Sequence, residues 1–161
     1  MRRKKILTVV TNQATYGAGE HRTGLWPAEL VHFYDKAVKA GHTVDVVSPT
    51  GGEVPLDPRS LGPLFVDKTV RGYLDDPAFM DGLKSTAAIA EANPDDYCTI
   101  FFTTPSTPAA ESSPRSATAP VPSSTSVTPH AVRDGRLITG QNPVSTKAVS
   151  DLIPAASAES E

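Results

Sequence analysis

Ala37-Val38-Lys39-Ala40-Gly41-His42-Thr43-Val44-Asp45-Val46-Val47-Ser48 decides how the chain folds, because one periodicity stops and another begins within it. Upstream of Gly41, Leu30, Val31, Tyr34, Ala37 and Val38 recur at three- and four-residue intervals. Glu29, Asp35, Lys36 and Lys39 populate the other side. That pattern predicts an amphipathic helix from Ala28 to Ala40, with Pro27 in its first turn and Gly41 as its stop. Downstream, Thr43–Ser48 is a β-branched run that reads as a strand. Working outward, Ile6-Leu7-Thr8-Val9-Val10 is a continuous apolar run of the kind a buried parallel strand needs. A polar, Gly-containing loop, Asn12–Gly24, separates it from the helix. Strand, helix and strand at this spacing make a right-handed βαβ unit.

Further along, Pro49–Pro63 is rich in proline and glycine and reads as a structured loop. Asp76-Pro77 starts a predicted helix running to about Ala92, anchored by Phe79, Leu83 and Ile89 and stopped at Asn93-Pro94. Tyr97-Cys98-Thr99-Ile100-Phe101-Phe102 has the unbroken apolar character of a central strand. Strands near 6–10, 43–48 and 97–102 are therefore expected side by side and parallel, with ligand chemistry just beyond their carboxyl ends.

The patterning stops at that point. In Thr103–Pro129, 23 of the 27 residues are Ser, Thr, Pro or Ala. Such a tract offers too little apolar surface to offset its ordering entropy, so a disordered or loosely extended segment is expected. A glycosylated stalk would require secretion. A stretch read out of frame, or across a mis-spliced junction, stays open as an origin for this composition. After it, Asp134-Gly135 signals a hairpin-type turn before a short strand, Arg136-Leu137-Ile138-Thr139. Asn142-Pro143 then opens a final helix over Val144–Ile153. The expected organisation is an amino-terminal part of one domain (1–102), the Pro/Ser/Thr/Ala-rich segment (103–129), the closing strand and helix of the same domain (130–153) and a tail (154–161).

Composition narrows the partners. A formal net charge of −3 over 161 residues leaves no footprint for nucleic acid or an anionic membrane. The basic start Arg2-Arg3-Lys4-Lys5 is followed by an apolar run too short for a signal h-region, and no stretch approaches a membrane helix. One cysteine, Cys98, cannot form an internal disulfide, so a reducing, cytoplasmic setting is expected.

Four segments together resemble the DJ-1/PfpI superfamily, most closely its Hsp31-like branch, related to class I glutamine amidotransferases. They are Thr23-Gly24-Leu25-Trp26-Pro27-Ala28-Glu29-Leu30; Val46–Gly52 with Pro55-Leu56-Asp57-Pro58; Asn93–Tyr97 before Ile100-Phe101-Phe102; and Asp134–Pro143. The resemblance implies an α/β, flavodoxin-like sandwich with a parallel sheet, here incomplete. It also implies cofactor-free glyoxalase or deglycase chemistry, with chaperone-like holding and amidase or protease activity attributed to the family as well. Partners implied are small reactive carbonyls and glycated or unfolded proteins, with a homodimer as an open assembly state.

In that family a cysteine on a nucleophile elbow, an adjacent histidine and an acidic residue near the start of the first helix act together. A thiolate adds to the aldehyde carbon while a carboxyl handles the proton. By its offset from Thr23-Gly24, Glu29 matches the acidic position. Nothing in the chain matches the elbow cysteine or its histidine, so impaired catalysis is expected. The alternatives are a non-catalytic binding or holdase-like remnant, or the product of a frameshifted or mis-spliced gene. The remaining residues read plainly. Cys98 is expected to be a buried, inert strand thiol. Trp26 is expected to be a core or loop anchor. Glu20, His21 and His32 lack the spacing of a metal site, and no dinucleotide fingerprint exists around Gly51-Gly52.

Overall fold

The computed structural model describes residues 5–16, 19–103, 131–134 and 137–140. β1 (Lys5–Val9), β4 (Thr43–Ser48) and β6 (Tyr97–Phe102) are parallel neighbours, with β1 in the middle. This is the arrangement the apolar runs predict. The sheet extends to six strands in the order β5-β4-β1-β6-β8-β7. β5 (Ala87–Ala88) pairs parallel to β4, and β8 (Leu137–Gly140) pairs parallel to β6. β7 (Ala131–Asp134) closes the far edge antiparallel to β8, giving the hairpin expected around Asp134. A separate small hairpin, β2 (Thr15–Tyr16) with β3 (His21–Arg22), stands within the Asn12–Gly24 loop.

α1 (Pro27–Lys39) packs on one sheet face, where Phe33 lies nearly parallel to Phe101 at 4.0 Å between ring centroids. Ile6 and Ala37 complete that cluster. Val10, Leu25, Leu30, Val54 and Leu83 form a second one nearer the carboxyl ends of the strands. The opposite face carries Leu7, Val9 and Val47 with Ile89, Ala92, Tyr97 and Ile100.

Several expectations are corrected. The buried face of α1 includes Glu29 and Phe33, whereas Val38 is 43% exposed. The helix begun at Pro77 ends as α3 (Pro77–Lys84) and does not reach Ala92. Thr86 breaks it by pairing with Gly52: each backbone N–H donates to the other's carbonyl, at 2.8 and 3.0 Å, and the Thr86 hydroxyl donates to Gly52 O at 2.7 Å. These bonds divert the chain into β5. The loop Pro49–Pro63 contains a 3₁₀ turn, Pro58–Leu61, and α2 (Lys68–Leu74) follows from Asp67, whose carboxylate accepts the Val70 N–H at 2.9 Å. Cys98 is half-buried, its thiol donating to Lys5 O at 3.2 Å. Of the tract 103–129 expected to be disordered, Thr103 is instead buried and hydrogen-bonded to Val9 at the end of β6, while 104–129, the helix Val144–Ile153 and the tail lie outside the described residues.

Candidate active site

Strand order places the topological switch between β1 and β6, whose carboxyl ends are Val9 and Phe102. In open α/β sheets the crevice at this point is where ligands sit. Thr103 extends the β1–β6 pairing by one residue, its N–H donating to Val9 O at 3.0 Å. Asn12, just after β1, donates its side-chain amide to Thr50 Oγ1 and to Gly51 O at 3.2 Å, tying the loops after β1 and β4 together.

Glu29 stands in the first turn of α1, the element that follows β1 on this edge, and is only 3% exposed. Its backbone N–H donates to Trp26 O at 3.0 Å. A carboxylate in this position is favoured by the helix dipole. Glu29 lies one turn before Phe33 and two before Ala37, both fully buried, so it shares the helix face that packs on the sheet. Leu25 and Leu56 form a parallel bridge: the Leu25 N–H donates to Pro55 O at 2.8 Å and the Asp57 N–H to Leu25 O at 3.0 Å. Gly24 makes this approach possible. A Cβ at Gly24 would lie 2.3 Å from Pro55 O, which no side chain tolerates.

Asp57 locks the same junction from below. Fully buried, it accepts hydrogen bonds from Arg59 N at 2.8 Å, Arg59 Nε at 3.0 Å, Arg59 Nη2 at 2.5 Å and the Thr23 hydroxyl at 3.3 Å. The Arg59 side-chain donors hold its carboxyl below the ordinary range, overcoming burial, which acts in the opposite direction; the Trp26 indole N–H adds a smaller lowering. Trp26 itself meets Phe65 edge-to-face at 4.9 Å, a loop anchor as expected. The segments Thr23–Leu30 and Pro55–Pro58, noticed in the sequence only as a resemblance, thus form one physical unit. Asp57 and Arg59 received no role from the sequence, although Asp57-Pro58 carries the signal of a capping residue followed by a first-turn proline.

The structure does not bring Cys98 to this unit. Cys98 is the second residue of β6 and bonds to Lys5 at the amino edge of the sheet. Four residues further on, at about 3.3 Å each, the strand reaches its carboxyl end at Phe102, so the thiol sits roughly 13 Å from the edge that Glu29 occupies. Nor do the three residues weighed as metal ligands converge. Glu20 and His21 are exposed at the β2–β3 hairpin, and His32 on α1 pairs with Asp67 at 3.3 Å. Among the described residues no cluster of three His, Cys, Asp or Glu side chains is placed to hold a metal ion, and no helix is long and apolar enough to cross a membrane.

No family model and no curated protein matches the chain. Solved structures do. Rapid Encystment Protein 24 kDa of Francisella tularensis superposes with a TM-score of 0.78 at 19% identity, over 95% of this chain and 98% of that one. Glyoxalase III of Candida albicans gives 0.72 at 18% identity, over 96% and 97%. A third structure, APC35852, gives 0.67 at 25% identity, over 98% and 99%. The class is the flavodoxin-like α/β sandwich. These likenesses are of fold, and the fold agrees with the resemblance of the four sequence segments to the DJ-1/PfpI superfamily.

Proposed function

We propose that this chain is a protein of the glyoxalase, deglycase and chaperone type that binds carbonyl-bearing or unfolded partners without thiol catalysis. The observation carrying this reading is the separation of its lone cysteine from Glu29, at opposite edges of the sheet. Addition of a thiolate to an aldehyde carbon, with a carboxyl taking or returning the proton, needs both groups within reach of one substrate atom. Here the Gly24–Pro55 and Thr23–Asp57 contacts tie the segment that leads into α1, and the lone thiol lies at the other edge of the sheet. The likeness to glyoxalase III supports the substrate class, and a chain with one cysteine suits the reducing cytoplasm.

Two assays test the binding reading. Light scattering of an aggregating, chemically unfolded client should fall when the chain is added at equimolar amounts, and a glycated peptide should titrate to saturation. Failure of both would contradict the proposal.

A further inference from the structure

β4 is paired with β1 from Thr43 to Val47, but on its other side β5 covers only Val47 and Ser48. Among the described residues, Thr43–Val46 therefore has no strand partner on that side. A groove of about 520 Å3 runs along this stretch. Tyr34, Phe79 and Leu83 line it from the α1 and α3 side, and Ala92 and Tyr97 from the other. Two of its lining residues are charged, Asp45 and Glu91, and both are acidic. Asp45 keeps a side-chain exposure of 36% while its Oδ2 accepts from Lys5 Nζ at 3.3 Å and Tyr97 OH at 3.0 Å.

An uncovered strand edge offers unused backbone donors and acceptors, and extended peptides bind such edges by adding a strand. The side chains of an added strand alternate between the two walls. One wall here is aromatic and aliphatic, and the two charged lining residues are acidic: Asp45, which is shared with Lys5, and the exposed Glu91. We propose that the outer edge of β4 at Thr43–Val46 binds an extended polypeptide segment in which basic and apolar residues alternate, as a short strand in line with β5. This takes the binding reading above one step further, to where a client sits, and rests on that reading for its partner.

The test uses the full chain and short fluorescent peptides followed by anisotropy, with hydrogen exchange read over residues 43–46. A peptide alternating lysine and valine should bind saturably and slow exchange at 43–46. Replacing its lysines by glutamate, or N-methylating the amides along one edge, should weaken binding at least tenfold. Glu91→Lys, at an exposed position, should do the same for the lysine peptide and reverse the preference toward the glutamate one. Equal binding of the N-methylated peptide, or unchanged exchange at 43–46, would overturn the inference. If clients are held in the scattering assay but the lysine peptide does not bind, this location is wrong and the binding function stands.

Discussion

The Thr23 hydroxyl donates to Asp57 Oδ2 at 3.3 Å, joining two segments 34 residues apart, and Gly24 beside it lies against the Pro55 backbone. Together these contacts set where α1 begins and so where Glu29 is held. Gly24→Ala should therefore act on fold and site at once. Its added Cβ would meet backbone, which cannot move aside as a flexible side chain can. A loss of about 3 kcal/mol, the upper end for overpacking, is expected in urea unfolding. An unchanged midpoint would mean the two segments separate freely.

Arg59 and Asp57 should not be equivalent when removed. Arg59 is half-exposed and regains water without its partner, whereas Asp57 is fully buried and does not. Arg59→Met is expected to cost about 3 kcal/mol, as for breaking a buried pair from one side, and Asp57→Asn about 1–2 kcal/mol, since an amide oxygen can still accept the Arg59 N–H. Equal losses, or the reverse order, would show that the carboxylate reaches solvent.

Stability should fall at both ends of the pH scale for different reasons. Asp57 is held below its ordinary value of 3.8, so on acidification the unfolded chain takes up that proton first. Its contribution is present above about pH 4 and is lost as pH falls through the folded value. Tyr97 and Tyr73 are raised above 10.0, chiefly by burial and next by the nearby carboxylates Asp45 and Asp35 respectively. Their sign is opposite: stability holds below pH 10 and declines as pH rises toward the folded values. Urea midpoints against pH should show both limbs, and the acid limb should be shallower in Asp57→Asn.

Phe33 and Phe101 stack across the interface between α1 and the sheet, and Phe33 is fully buried. Phe33→Ala should cost about 3–5 kcal/mol. A loss below 1 kcal/mol, measured by thermal or urea unfolding, would place α1 loosely on the sheet.

How much of this was legible follows from which interactions are local. β1, β4 and β6 stand out because buried parallel strands must be apolar on both faces, and α1 because Gly41 ends it. β5 was not legible: Ala87-Ala88 has no strand character of its own, and the strand exists because Thr86 pairs with Gly52, far away in sequence. α2 rests on its Asp67 cap, a local signal in a seven-residue helix too short to show a clear apolar periodicity. Glu29 stands out by resemblance; its burial follows from the helix face it shares with Phe33 and Ala37, a face that the spacing of Leu30, Val31, Tyr34 and Val38 does not mark.

The most direct test of the account is the rate at which the purified chain converts methylglyoxal, followed by NMR detection of product alongside Cys98→Ser and Glu29→Gln. With the thiol roughly 13 Å from the carboxyl edge of β6, the expected rate is that of buffer containing an inert protein with one thiol, unchanged by either substitution. Turnover by the native chain that disappears in both variants would contradict the account, because it would require Cys98 and Glu29 to meet at one substrate.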